Sequence, residues 1–138
     1  MNISTVQILP GAEGIKQAYR ESLSQKSLDI ICLSNNYDQV IGDFFEKEFS
    51  PKVYGKISTR EILPDTLGNR KSLAEKDRKI NDVRFIAPVA SESDMLICED
   101  TVTLISFSAH APVAVVITDK ELVRSFQSQF NVLWEKLS

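Results

Sequence analysis

Ser34-Asn35-Asn36 directly follows the apolar run Leu28 to Leu33, and its hydroxyl and amides are groups that could hydrogen-bond a polyol or sugar. Chain just beyond a strand's carboxyl end is where open α/β sheets commonly form a ligand crevice. The same residues also have a local role open to them, since Asn36 or Asp38 can cap the helix that follows. His110, the single histidine, lies in the small-residue segment Ser108-Ala109-His110-Ala111-Pro112. It reads either as a surface imidazole or as a group that senses pH or contacts an anionic ligand. Arg60 with Arg84 could clamp an acid, or both could be solvated strand-end arginines.

Chemistry that needs more than hydrogen bonding finds little support. Cys32 and Cys98 sit inside apolar runs and read as buried, reduced thiols, and a single histidine argues against a structural zinc site. Neither a phosphate-cradling glycine loop, a dinucleotide fingerprint nor a nucleophile elbow occurs. No cofactor and no metal is called for.

The elements that must position these residues follow from pattern. Residues 3–9 read as a first strand ended by Pro10-Gly11, and residues 12–25 carry Ile15, Ala18, Tyr19 and Leu23 at helical spacing. Leu28 to Leu33 suits a central strand covered on both faces. Val40, Ile41, Phe44, Phe45 and Phe49 predict one amphipathic helix over 38–50, stopped by Pro51. A third strand is expected over 56–63, with Arg60 or its neighbours on its exposed face. The charged segment 65–79 reads as a surface helix with a solvated face, its core contacts limited to Leu67, Leu73 and Ala74. Residues 83–87 supply a fourth strand.

Met95 to Cys98 and Val102 to Phe107 are then joined by Glu99-Asp100-Thr101, too short for a helix, so a hairpin is required. Pro112 to Ile117 gives a further strand, and Asp119 caps a last helix with Leu122, Val123, Phe126, Phe130, Leu133, Trp134 and Leu137 on one stripe. Phe130 and Trp134 read as core or a dimer seam. The expected fold class is α/β: a mixed β-sheet flanked by helices on both faces, with a terminal antiparallel hairpin and a C-terminal helix.

The 138 residues suit a single domain over 1–138, which would bury about two-thirds of its unfolded surface. A net charge of −3 disfavours direct nucleic-acid binding by this segment, because phosphate neutralisation requires a basic face. Its apolar runs fall far short of the roughly 20 residues that span a bilayer, so no membrane partner is expected. Without a secretory signal pattern at the N-terminus, a cytoplasmic address is the default.

Gly14-Ile15-Lys16-Gln17-Ala18-Tyr19 opening a helix and Ile62-Leu63-Pro64-Asp65-Thr66 closing a strand resemble the C-terminal effector domain of TrmB-like transcriptional regulators. The tail adds to it, with Asp100 to Phe107, then Pro112 to Ile117, then a helix ending Phe130-Asn131-Val132-Leu133-Trp134-Glu135. The resemblance implies a phospholipase D-like fold that senses a small polar ligand, with sugars as the implied class, and forms a homodimer. It also implies a DNA-binding winged helix ahead of the domain. That part is not among these residues, so the chain reads as a trimmed piece of such a regulator or as a stand-alone sensory module.

The tail is also similar to the second half of a phospholipase D repeat. There a His-x-Lys-x4-Asp motif falls, by the resemblance, at about Ser91, Ser93 and Cys98. Phosphodiester transfer by that route needs an imidazole nucleophile and a cation at the transferring phosphoryl group. Serines supply neither. Ser91, Ser93, Ser106 and Ser108 could instead line the remnant of the cleft as neutral hydrogen-bonding groups, or serve simply as turn and edge residues. The expectation is a non-catalytic sensing and self-association domain. A phospholipase D-like phosphodiesterase with a site shared across a dimer is the alternative.

Overall fold

A computed structural model describes residues 5–138, so Ile3 of the expected first strand lies outside the described residues. In chain order the elements are β1 Val6–Pro10, α1 Gly11–Ser22, β2 Ser27–Cys32, α2 Asp38–Ile41, a π-helical turn Phe45–Phe49, α3 Ser50–Val53 and β3 Ser58–Pro64. There follow α4 Leu67–Ala74, β4 Asn81–Ile86, β5 Ser93–Ile97, β6 Val102–Ser106, β7 Val113–Ile117 and α5 Lys120–Lys136.

The strands form one seven-stranded sheet in the order β1-β7-β6-β5-β2-β3-β4. Its β2-β3-β4 side is parallel, as helical crossovers demand. The rest is antiparallel. The expected hairpin is present, with Ser93 opposite Ser106 and Ile97 opposite Val102. Strand β2 lies between β5 and β3, where both of its faces are covered.

Strand alternation divides the apolar side chains between two cores. On one face Leu28, Ile30, Leu96 and Ile105 meet Ile15 and Tyr19 of α1 and Phe44, Phe49 and Val53 of the helical segment after β2. On the other, Ile62, Ile97, Val102 and Ile117 meet Val123, Phe130 and Trp134 of α5. Helices thus cover both faces. Asp119 caps α5 as its sequence predicts, its carboxylate accepting from the Leu122 amide at 3.0 Å. Gly14 lets α1 sit directly on the end of β1, since a Cβ there would stand 2.4 Å from the Leu9 carbonyl.

Four expectations change. The single helix over 38–50 is instead three short pieces, because Gly42 takes a φ of 61° after the first turn. Pro51 does not end the helical run but sits in the first turn of α3, directly after the π-helical turn. The face of β3 that carries Arg60 is not open: α5 packs over it. On α4 no residue is buried and Leu67 is 83% exposed, so Leu67 makes no core contact. That helix is held by polar contacts, among them a Thr66 cap to the Asn69 amide and an Asn69 amide bond to the Pro64 carbonyl. Among the described residues no helix is long and apolar enough to cross a membrane.

Candidate functional site

Because β2 and β5 run antiparallel, the carboxyl end of β2 meets the start of β5 and the end of β6. This brings together most of the residues singled out from sequence. The Leu33 amide donates to the Ser93 carbonyl at 3.0 Å. The Ser34 hydroxyl and amide donate to Asp94 Oδ1 at 2.8 and 3.3 Å. The amides of Asn35 and Asn36 both reach Glu92 Oε2 at 2.8 Å. Neither Asn36 nor Asp38 caps α2, whose N-cap position is Tyr37 without a side-chain bond. The loop is therefore shaped by the two carboxylates rather than by a helix cap. Beside it Ser91 and Ser93 share a hydroxyl–hydroxyl bond of 2.7 Å, and Ser106 Oγ accepts from the Ser108 amide at 3.3 Å. His110 is exposed in the turn between β6 and β7 at the same end of the sheet.

Arg60 stands apart. Its guanidinium forks onto Asp29 at 2.8 and 2.7 Å, reaches Asn131 at 2.9 Å, and stacks over Phe130 and Trp134. Arg84 lies over Trp134 and donates to the Trp134 and Leu137 carbonyls. Charge-assisted bonds to carbonyls at a helix carboxyl end are favourable, so both arginines fasten α5 to the sheet and neither forms an acid clamp. Phe130 and Trp134 lie in the core beneath them.

Two recesses open from the shared sheet end, one on each face. The smaller, about 420 Å³, lies on the α5 face; Ser93 and Ser106 border an apolar floor that includes Ile31, Met95, Leu104 and Val115. Among the described residues neither lysine, arginine nor histidine lines it. The larger, about 890 Å³, lies between the ends of β2 and β3 and the helices of the opposite face; Ser34 and Asn35 are in its wall.

Deep in this cleft Glu61, 3% exposed, accepts from the Tyr54 hydroxyl at 2.8 Å and from Lys76 Nζ at 3.0 Å. The Lys76 ammonium also stands 4.4 Å from the Tyr54 ring centroid. The 65–79 segment is thus not wholly solvated, because Lys76 turns inward from the end of α4. Nearer the mouth the Tyr37 hydroxyl donates to Glu46 at 3.1 Å. Burial and that carboxylate push the Tyr37 phenol up to about 12.

Behind Ser34 the buried Asp94 accepts from Tyr19 Oη at 2.5 Å. Burial holds its carboxyl above the usual aspartate range, against hydrogen bonds from Tyr19, Ser34 and Cys32 that pull it down. Burial and the Asp94 charge together raise the Cys32 thiol well above its ordinary value. Burial pushes Cys98 up to about 12. Thiolate is the nucleophilic form, so both cysteines are poorly suited to attack. Both are free, as expected.

No family model and no curated protein matches the sequence. Solved structures do match. TrmBL2, an archaeal chromatin protein whose structure shows a novel mode of DNA binding, superposes with a TM-score of 0.64 and 21% identity. The match covers 99% of this chain and 54% of that one, so this chain spans about half the length of TrmBL2. NucT from Helicobacter pylori gives 0.60 at 13% identity, with 96% of each chain covered. A phospholipase D family member, Nuc from Salmonella typhimurium, gives 0.57 at 16%, covering 96% of this chain and 95% of that one. The fold is phospholipase D-like. Strand β5 of the hairpin begins at Ser93, with Ser91 two residues ahead of it.

Glu92, Asp94, Glu61, Tyr54 and Lys76 were not among the residues singled out from sequence. A carboxylate in strand alternation with core residues is the available signal, as at Glu61 between Thr59 and Leu63, which share its face.

Proposed function

We propose that the domain is a non-catalytic small-molecule-sensing and self-association module like the effector domain of a TrmB-like regulator. The observation that carries this reading is the Ser91–Ser93 hydroxyl pair, 2.7 Å apart, where the resemblance puts the imidazole and ammonium of phosphoryl transfer. A hydroxyl pair bonded to itself has no base to activate it and no charge to offer a phosphoryl oxygen. The 890 Å³ cleft on the opposite face supplies what a sensor needs, a concave site with a few convergent polar groups. One wall belongs to α4, a helix with no buried residue. A small polar ligand that contacts α4 and the sheet together shifts the population of α4 positions by its differential affinity for them. TrmBL2 binds DNA; for this acidic segment that task falls to a separate part or partner.

Incubation with bis(p-nitrophenyl) phosphate, with and without divalent metal ions, is expected to give no turnover above background. Metal-independent hydrolysis lost on His110→Ala would establish instead a phosphodiesterase completed across a dimer.

Self-association has a face suited to it. The apolar floor of the smaller recess continues toward Ile8, which is 64% exposed on edge strand β1 and pairs with Val115. An exposed apolar patch of this kind marks an interaction site, and a two-fold copy would bring the two hairpin ends near one another. Multi-angle light scattering is expected to give a dimer mass. Monomer alone at high concentration would refute this part of the proposal.

A further inference from the structure

On the sensing reading, we infer that the 890 Å³ cleft selects a small organic cation, an alkylammonium or quaternary ammonium, in preference to a neutral sugar or an anion. The charges decide it. Among the described residues Asp38, Glu46, Glu61 and Glu75 line the cleft, with Lys76 as the one cationic side chain in its wall. Lys76 is already committed to Glu61 at 3.0 Å, which leaves three carboxylates around the mouth without an ammonium in the lining. A neutral polyol would accept and donate hydrogen bonds there without compensating the negative charge of the lining. A cation compensates it.

The cleft also contains a worked case of the chemistry. The Lys76 ammonium sits between the Glu61 carboxylate and the Tyr54 ring face, 4.4 Å from its centroid, which is the arrangement in which ring quadrupole and counter-charge act together. The chain's own lysine therefore occupies one ammonium subsite. A second corner of similar composition lies at the mouth. There the Tyr37 and Phe45 rings are 4.6 Å apart between centroids, beside Glu46, which the Tyr37 hydroxyl fixes at 3.1 Å. An anion would meet the reverse situation, since the hydroxyls of Tyr37 and Tyr54 both point their protons at carboxylates.

Isothermal titration of the full chain with putrescine at constant ionic strength is expected to give saturable 1:1 binding. Maltose and citrate are expected to give no heat. The double substitution Tyr37→Leu/Glu46→Gln should weaken putrescine about tenfold by removing one ring face and one charge. Since Tyr37 also touches the core, Asp38→Asn/Glu75→Gln, at two exposed rim positions, provides a second variant that should weaken binding in the same direction. Choline binding would extend the class to quaternary ammonium.

Binding of maltose without putrescine overturns the cation assignment and leaves the sensing reading standing. So does putrescine binding that neither variant weakens, or silence toward all three compounds. Failure of the sensing reading itself shows elsewhere, as phosphodiester turnover.

Discussion

Glu61→Ala is expected to lower the free energy of unfolding by about 3–5 kcal/mol, read as a fall in the urea midpoint, because it strips a buried cation of its partner. The side chains of Glu61 and Lys76 are only 4% and 9% exposed, so solvent does not screen the pair as it does the ion pairs at the surface. Removing the carboxylate also leaves the Tyr54 hydroxyl without its acceptor. The pair itself need not be a net source of stability, since taking two charges out of water offsets most of their attraction. Hence Glu61→Leu/Lys76→Met should fall within about 1 kcal/mol of the parent and well above Glu61→Ala. A loss below about 1 kcal/mol for Glu61→Ala would mean that Lys76 swings freely into solvent, and that α4 is not latched to the sheet.

How much of this could be seen beforehand varies with the range of the interaction. The element order was legible because strand-length apolar runs such as Leu28 to Leu33 and the single stripe of α5 are local patterns. Asp119 was legible as a cap for the same reason. The break at Gly42 has one sign in the sequence, a glycine between Ile41 and Phe44, but the apolar spacing there fits a continuous helix equally well. The site divides in the same way. Ser34, Asn35 and Asn36 follow from their place after a strand. Glu92 and Asp94, which fix that loop from 56 to 60 residues away, depend on β2 pairing antiparallel with β5, and local pattern does not specify partners. Nothing in the alternation of β3 reveals that α5 crosses over Arg60. The charged neighbours of Lys76 in sequence predict a solvated face, whereas its environment is set by Glu61, 15 residues back.

Asp94 should make the domain's stability fall as pH rises, opposite in sign to the usual aspartate. Burial raises its carboxyl in the folded state above the value it has in the unfolded chain, so the native state binds the proton more tightly. Its contribution is therefore fully present below the ordinary aspartate range and is lost as pH climbs through the raised value. Other carboxylates titrate in the same window, so the quantity to measure is a difference. Stability of the parent minus that of Asp94→Asn should decline over this interval, by at most about 1.4 kcal/mol per pH unit for one proton. Asparagine is a suitable reference because its carbonyl can take the Ser34 donors while its amide donates to the Tyr19 hydroxyl, with no charge to titrate. Asp94→Ala lacks both and should cost roughly 2–4 kcal/mol, since Tyr19 Oη and the Ser34 hydroxyl lose their acceptor at a buried position. A parent-minus-Asn difference that stayed flat or rose with pH would mean that the hydrogen bonds from Tyr19 and Ser34 outweigh desolvation. Asp94 would then be a well-stabilised anion at the root of the Ser34 loop, which places one more negative charge behind the cleft.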